Sequence, residues 1–167
     1  MLYELNGESI LDLFEQLLIQ YSHAISKEME QCARAGQPNE GCALLFGRKF
    51  QETIPKNNKS RVVYVVELVE CLLSSHLSWG SFFIDERLLL EKSAIAKVRG
   101  YKLVGIFHSH PAPAKPSNMD VEYMSRIDGF KPLYAIWIIQ STLVTKRTRA
   151  YLFLNNRIYE IQQEIRG

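Results

Sequence analysis

The amino-acid sequence predicts an α/β fold in which a twisted mixed β-sheet is flanked by helices. Short apolar runs rich in β-branched residues predict several strands, and segments with helical spacing of apolar residues lie between some of them. The two kinds of segment are mixed but do not alternate regularly, which favours a mixed sheet over an all-parallel one. Hydrophobic residues make up 47% of the 167 residues and charged residues 23%, as expected for a soluble globular chain.

The helices are predicted from apolar spacing and from their end signals. Residues 22–35 carry apolar side chains at spacings of four and three residues, and Gly36 follows as the expected C-cap. A second helix is expected from a cap at Asp85 to about Val98. Its inner side is predicted to carry Leu88, Leu89, Ala94 and Ile95.

The strands are predicted from short apolar or β-branched runs bounded by turn residues. The run that ends at Gln140 is apolar on both faces, which favours a central position in a covered sheet. Asn155 and Asn156 lie between the last two runs and predict a hairpin turn. The predicted strands cover residues 42–46, 50–54, 61–71, 82–84, 103–107, 132–140, 149–154 and 157–161.

We expect residues 1–167 to form a single domain, because no repeat, low-complexity tract or long linker divides the sequence. Residues 1–16 are expected to be an N-terminal extension of uncertain structure. Residues 9–17 suit a short helix, although residues 17–20 could begin a strand instead.

Composition argues against several classes of partner and location. The net charge of +2, from 20 basic and 18 acidic residues, gives no reason to expect a nucleic acid partner. The sequence contains no apolar run of about eighteen residues, so no membrane association is expected, and acidic residues interrupt its first part, which argues against a secretory signal. Cys32, Cys42 and Cys71 show no close pairing, so we expect three free, buried thiols and a cytoplasmic location.

The most informative segment covers residues 105–111 and reads Gly-Ile-Phe-His-Ser-His-Pro. His108 and His110 are two residues apart, so on a strand both imidazoles point to one face. Ser117, with Asp120 three positions later, predicts a helix N-cap with an acidic first turn. Two histidines and one carboxylate commonly hold a catalytic zinc ion and leave one position for water. The sequence therefore predicts a metal site formed by these two histidines and this aspartate.

A hydrolytic metal site also needs a group that moves the proton of the attacking water. Glu40 is the best candidate, because it precedes a buried apolar strand, where an acidic side chain has no packing purpose. Ser117 could donate its hydroxyl to the oxygen of an attacked carbonyl. Taken singly, these residues have ordinary explanations as a loop carboxylate, a capping box and hydrogen-bonded histidines. Their joint occurrence in this order favours the catalytic metal hypothesis.

These segments together resemble a known family motif. Residues 40–47 (Glu-Gly-Cys-Ala-Leu-Leu-Phe-Gly), the His-Ser-His-Pro segment at 108–111 and the Ser-Asn-Met-Asp segment at 117–120 resemble the JAMM motif of the MPN (Mov34/PAD-1) metallopeptidases. The compact prokaryotic members are the most similar, and the resemblance extends from about Leu17 to the last predicted strand.

The resemblance implies a role for each residue of the motif. His108, His110 and Asp120 would bind one zinc ion per chain. Glu40 would be the general acid/base, and Ser117 would stabilise the tetrahedral intermediate.

The resemblance also implies a fold, a reaction and a partner. The family fold is a twisted, partly rolled mixed β-sheet flanked by helices, with a layered architecture like that of the cytidine deaminases. The reaction is the zinc-dependent hydrolysis of a peptide or isopeptide bond, often at the C-terminal tail of a ubiquitin-like protein or sulfur carrier. The substrate itself, the choice between peptide and isopeptide bonds, and the oligomeric state are left open.

The chain departs from the family pattern in two places. Residues 111–116 separate the second histidine from the serine, one residue fewer than in many members. Ala43 stands where a glycine is frequent. Neither change removes a predicted ligand, so we expect the ligand geometry to survive, whereas the form of the substrate groove is left open.

Two other functions are considered beside the hydrolase. The first is a catalytically inactive MPN scaffold for protein–protein contacts, although such scaffolds usually lack one or more ligands and this sequence lacks none. The second is a branch of related folds linked to DNA repair, which has a similar His-x-His and Ser-x-x-Asp pattern. The near-neutral charge argues against the second function.

Overall fold

A computed structural model describes residues 16–72, 86–128, 136–143, 147–154 and 156–167. The strands in these residues are β1 (Leu17–Ser22), β2 (Cys42–Thr53), β3 (Ser60–Leu72), β4 (Lys102–His110), β5 (Ile136–Ser141), β6 (Thr148–Leu154) and β7 (Arg157–Arg166). The helices are α1 (His23–Gly36), α2 (Glu86–Val98) and α3 (Asn118–Asp128). The strand predicted at 82–84, the cap at Asp85 and the helix predicted before residue 16 lie outside the described residues.

The strands form a mixed sheet that closes into a barrel in the order β1-β3-β2-β4-β5-β6-β7. β1 pairs in parallel with both β3 and β7, so it joins the two edges of the sheet. β4 and β5 are also parallel, while the other neighbours in this order are antiparallel. The prediction of a mixed sheet flanked by helices is therefore confirmed, and the predicted partial roll is here a closed barrel.

The two faces of the central strands pack against different helices. Alternate residues of β2, β4 and β5 contact α1 in one apolar cluster, which includes Ile25, Met29, Ala43, Leu45, Phe107, Ile136 and Ile138. The intervening residues form a second cluster with α2 and α3, which includes Cys42, Leu44, Ala96, Ile106, Met124, Trp137 and Ile139. Because the side chains of a strand alternate, every even-numbered residue at the end of β4 faces this second cluster.

The beginning of the described chain is a strand followed by a capped helix. β1 starts at Leu17, so the strand alternative for residues 17–20 is correct. Ser22 caps α1, since its hydroxyl accepts a hydrogen bond from the Ile25 N–H at 3.2 Å. Gly36 was predicted as a C-cap outside the helix but is its last residue. A side chain at Gly36 would overlap the backbone of Gly41. The glycine therefore allows the end of α1 to lie directly against the segment that precedes β2.

The sequence predicted two strands at 42–46 and 50–54, but β2 runs through both without a break. Its pairing with β3 shifts register between Phe46 and Gly47, which marks a bulge. A side chain at Gly47 would overlap the Val65 carbonyl oxygen. The glycine therefore allows the strand to continue through the bulge, between the two strands that were predicted separately.

The inner side of α2 differs from the prediction. Leu88 and Leu89 are partly buried as expected, but Ala94 is exposed and Ile95 is 49% exposed. The fully buried residue is Ala96, which joins the second apolar cluster. Gly100 follows the helix at φ 80°, a left-handed conformation that glycine adopts without strain.

The prediction of three free thiols is wrong for two of them. Cys32 of α1 and Cys71 of β3 form a disulfide, with Cα atoms 5.5 Å apart, whereas Cys42 is free and buried. The paired residues are 39 positions apart, and they meet because α1 packs on the sheet. The cysteines therefore give no support to the expected cytoplasmic location. No helix in the described ranges is long and apolar enough to cross a lipid bilayer.

Candidate metal centre

The end of β4 places two histidines on the face that packs against α2 and α3. His108 has no exposed surface, and its ring meets the Trp137 ring edge-on with centroids 5.7 Å apart. His110 is two residues further on and nearly as buried. The N–H and the hydroxyl of Thr142 donate to the His110 carbonyl at 2.8 and 3.0 Å. Packing and backbone contacts therefore fix both imidazoles.

The start of α3 brings a carboxylate to the histidines. The Ser117 N–H donates to Asp120 Oδ2 at 2.6 Å, and the Asp120 N–H donates to Ser117 Oγ at 3.2 Å. These reciprocal bonds form the predicted cap, and the anionic side chain is favoured at the positive end of the helix. The cap orients Asp120 so that one carboxylate meets both imidazoles.

The short loop 111–116 is held against the barrel. The Ala114 side chain is buried, and its carbonyl accepts a hydrogen bond from the Tyr151 hydroxyl of β6 at 2.6 Å. Although the loop has one residue fewer than in many family members, it delivers Asp120 to within 3.0 Å of His110 Nε2. This distance agrees with the expectation that the shorter loop leaves the ligand geometry intact.

Glu40 approaches the same place from the segment that joins α1 to β2. Its side chain is 7% exposed, and its Oε1 lies 3.8 Å from His110 Nε2. Among the described residues, no donor reaches the buried Glu40 Oε2. A buried carboxylate oxygen without a donor is unfavourable unless water or a ligand completes it.

The side-chain nitrogen and oxygen atoms of His108, His110 and Asp120 lie close to one another. His108 Nε2 is 2.8 Å from His110 Nε2 and 3.4 Å from Asp120 Oδ1, and His110 Nε2 is 3.0 Å from Asp120 Oδ2. Atoms that coordinate a tetrahedral zinc-type ion lie roughly 3.4 Å from one another. With Glu40 included, the four residues offer ligand atoms within 4.8 Å of each other. This arrangement fits a bound metal ion.

Burial and mutual contact shift the pKa values of the cluster. Burial raises the pKa of Glu40, although the charge of His110 opposes this effect. Burial lowers the pKa of His108, in spite of its hydrogen bond with Asp120. Burial also acts to lower the pKa of His110, but the hydrogen bond with Asp120 and the negative charges of Asp120 and Glu40 together outweigh burial, so the pKa is raised.

The pKa of Asp120 shows the strongest influence of the histidines. Burial alone would raise this pKa, but hydrogen bonds from His108 and His110 hold it well below its usual range. Carboxylates bind metal ions as anions and imidazoles bind them in the neutral form, and the directions of the Asp120 and His108 shifts favour these forms.

Two cavities open beside the cluster. The nearer one has a volume of about 230 Å³ and is lined by Pro38, Asn39, Glu40, His110, Pro111, Ala112 and Ser117. The second has a volume of about 400 Å³ and is lined by Gln37, Pro38, Asn39, Ser109, Pro111 and Thr142. Because they share three lining residues, we describe them together as the site groove.

The structure brings together all five residues that the sequence analysis selected. Glu40, His110 and Ser117 line one cavity, and His108 and Asp120 lie directly behind it. Sequence reasoning did not find the groove residues Asn39 and Thr142 or the role of Ser109. A serine between two histidines on a strand points to the opposite face, so its position alone gave no sign of contact with the site.

Comparison with known proteins agrees with this geometry. Residues 22–153 match the model of the prokaryotic homologues of the JAB domain. A search of curated proteins found no match. The solution structure of protein DSY2949 from Desulfitobacterium hafniense is 27% identical, covers 89% of this chain and 92% of its own, and has a TM-score of 0.70.

Two further solved structures are similar at lower identity. A protein from Salinibacter ruber is 18% identical over 87% of this chain and 91% of its own, with a TM-score of 0.52. A JAB1/MPN domain protein from Archaeoglobus fulgidus is 19% identical over 89% of this chain and 97% of its own, with a TM-score of 0.49. The family model covers most of the chain and the expected resemblance is confirmed, so the chain belongs to the prokaryotic homologues of the JAB domain.

Proposed function

We propose that this chain is a zinc-dependent metallopeptidase that hydrolyses a peptide or isopeptide bond. One observation carries the proposal: Glu40, His110 and Ser117 line one cavity of about 230 Å³, and the remaining two ligand candidates lie behind it. In these proposed roles, a proton carrier, a metal ligand and a hydroxyl donor would surround a space that can hold water and a carbonyl group, which supports the proposal.

The donor set favours zinc over harder divalent ions. His108 and His110 supply imidazole nitrogens and Asp120 a single carboxylate, whereas magnesium and calcium prefer sites made of oxygen ligands. Three protein ligands also leave a coordination position open, as catalytic zinc sites require. When bound, zinc supplies Lewis acidity, which brings the pKa of a water molecule to roughly 7 and polarises a carbonyl oxygen.

Glu40 is suited to proton transfer. Its Oε1 lies 3.8 Å from His110 Nε2, whereas Asp120 oxygens lie 3.0 Å from His110 Nε2 and 3.4 Å from His108 Nε2. Of the two carboxylates, Glu40 is therefore the one further from the histidines. Burial raises its pKa, which makes it a better acceptor for the proton of the attacking water, and Glu40 can then pass this proton to the leaving amine. The carbonyl carbon gains a bond to oxygen, the carbon–nitrogen bond breaks, and the amine leaves with the proton that Glu40 carried.

Ser117 is suited to stabilising the charge that develops on the attacked carbonyl. Ser117 lines the cavity and is exposed. Its oxygen accepts a hydrogen bond from the Asp120 N–H, which orients the hydroxyl at the N-terminus of α3. The hydroxyl hydrogen can then be donated to the carbonyl oxygen of a substrate.

We propose that the substrate is the extended C-terminal tail of a ubiquitin-like protein or sulfur carrier. The two cavities of the site groove are large enough for a short stretch of chain and far too small for a folded domain. The family resemblance supports the ubiquitin-like class.

The proposal is tested with zinc-loaded protein and ubiquitin-like proteins that carry a C-terminal extension. Mass spectrometry would locate the cut, which we expect directly after the natural tail. Metal-free protein and the Glu40→Gln variant are the controls. Failure to cleave any such fusion, or equal cleavage by the Glu40→Gln variant, would contradict the proposal.

The alternative is an inactive scaffold that keeps the fold for protein–protein contact. The presence of both histidines, both carboxylates and the serine around one cavity argues against it. A defined cleavage product that depends on Glu40 would exclude this alternative.

A further inference from the structure

Ser109 lies between the two candidate ligand histidines but on the opposite side of β4. It is 1% exposed and faces the connection between α1 and β2. No role for Ser109 was predicted from the sequence. A buried hydroxyl usually has a hydrogen-bond partner, and the partner here belongs to the residue that follows Glu40.

Ser109 and Gly41 exchange two hydrogen bonds. The Gly41 N–H donates to Ser109 Oγ at 2.8 Å, and the Ser109 N–H donates to the Gly41 carbonyl at 2.9 Å. In a regular antiparallel pair, both acceptors would be backbone carbonyls. The side chain of Ser109 therefore replaces one backbone acceptor, one residue beyond the last regular pair of Cys42 with His108.

The bonded N–H belongs to the peptide group that joins Glu40 to Gly41. On its other side, Gly41 lies flat against α1, because an added Cβ would be 2.6 Å from Ala33 Cα and would overlap the Cys32 carbonyl oxygen. The peptide after Glu40 is thus held between a helix and a serine hydroxyl. This clamp fixes the backbone next to Glu40 and therefore the position from which the Glu40 side chain extends.

We propose that Ser109 is a positioning residue that holds Glu40 at its working distance from the metal ligands. This inference rests on the proposed function for its kinetic consequence, but the clamp itself is a property of the fold. Displacing a reacting group by about 1 Å can slow catalysis up to about a hundredfold. Loss of the hydroxyl should therefore lower kcat much more than it changes KM or the affinity for zinc.

Three variants separate the hydroxyl from the volume of the side chain. Ser109→Ala removes the hydroxyl, Ser109→Thr keeps it, and Ser109→Val has the shape of threonine without it. For each zinc-loaded variant we would measure kcat, KM, the zinc dissociation constant and hydrogen exchange at the Gly41 amide. We would also determine its crystal structure. The Thr and Val variants carry the same added bulk, so they control for packing.

We expect the Ala and Val variants to lose about tenfold to a hundredfold in kcat, with KM and zinc affinity within about threefold of wild type. Their Gly41 amides should exchange faster and their Glu40 carboxylates should move away from His110 Nε2, while the Thr variant restores both. Equal kcat in the Thr and Val variants would overturn the inference. A loss of zinc affinity as large as the loss of kcat would also overturn it, because Ser109 would then support the ligands rather than Glu40.

The two proposals can fail separately. If the wild-type protein cleaves no substrate, the proposed function fails, and the positioning inference is judged by hydrogen exchange and the crystal structures alone. An unmoved Glu40 in the Ala and Val structures would overturn it.

Discussion

The barrel contains two groups of polar side chains whose hydrogen bonding differs. The first lies at the β1–β7 seam, where buried Gln20 donates to Glu164 Oε2 at 2.8 Å. The Tyr21 hydroxyl donates to Gln163 Oε1 at 3.0 Å, and the amide of Gln163 donates to the Thr148 carbonyl. Each of these donors meets an acceptor in the protein.

The second group is the candidate metal centre, where the buried Glu40 Oε2 has no donor among the described residues. Two imidazoles and the Asp120 carboxylate converge within 3.4 Å, and a second carboxylate, that of Glu40, lies 3.8 Å from His110 Nε2. Buried polar groups in such a cluster cost stability unless something else satisfies them. The seam is thus completed by the chain itself, whereas the ligand atoms of the second group could hold a metal ion.

Glu40→Gln should have the largest effect, because it removes the proton acceptor and keeps the shape of the side chain. We expect kcat to fall by about 10²–10⁴-fold with zinc affinity nearly unchanged, as measured by steady-state kinetics and metal titration. Glu164→Gln makes the same chemical change at the seam and should leave kcat within about twofold. A similar loss in both variants would remove the distinction between the two groups.

Ser117→Ala should lower kcat by about 10²–10³-fold, because it removes the hydroxyl that we propose as the donor to the carbonyl oxygen of the substrate. It also removes a helix cap and should cost about 1 kcal/mol of stability. Ser22→Ala is the matched control, since it removes the cap of α1 far from the groove. If the two variants lost kcat equally, the effect would be one of stability and the catalytic role of Ser117 would be wrong.

Zinc should stabilise the protein through the metal centre. At free zinc about a hundredfold above the dissociation constant, the free energy of unfolding should rise by about 2.7 kcal/mol and the melting temperature by several degrees. Calorimetry with and without a chelator would measure the difference. His108→Ala should abolish the zinc-dependent shift, whereas Tyr21→Phe at the seam should keep it. A wild-type melting temperature that does not change on addition of zinc would contradict the proposed metal site.

The seam should show its own dependence on pH, and this is the smallest effect. Burial raises the pKa of Tyr21 from its ordinary value near 10 to about 12. The folded protein keeps this proton when the unfolded chain loses it, so the contribution to stability is complete below pH 10 and decreases from pH 10 to pH 12. Over that interval the loss approaches roughly 2.7 kcal/mol.

Denaturant unfolding of wild type and Tyr21→Phe between pH 8 and pH 11 would test this dependence. The variant should lose about 1 kcal/mol at pH 8 from the missing hydrogen bond, and its stability should decrease less steeply above pH 10. Identical slopes in the two proteins would show that Tyr21 does not titrate differently on folding.

Structural features that depend on the residues of a single segment could be predicted from the sequence. The His-x-His pair on β4 and the Ser117–Asp120 cap are local patterns, so strand alternation and helix capping were enough to place them. The helix α1 and the long strand β3 were predictable for the same reason.

The remaining features depend on contacts between distant segments. The parallel pairing of β1 with β7 joins residues more than 140 positions apart, as the Gln20–Glu164 bond shows. The disulfide needs the packing of α1 on the sheet, and the clamp of Ser109 on Gly41 crosses 68 positions. Spacing along the chain contains no information about these contacts.

The most direct test of the central claim is anomalous diffraction at the zinc edge from crystals of the zinc-loaded protein. The account predicts one strong peak per chain about 2.0–2.2 Å from ligand atoms of His108, His110 and Asp120, with Glu40 outside the coordination sphere. A peak elsewhere, or no peak at this cluster at saturating zinc, would contradict it.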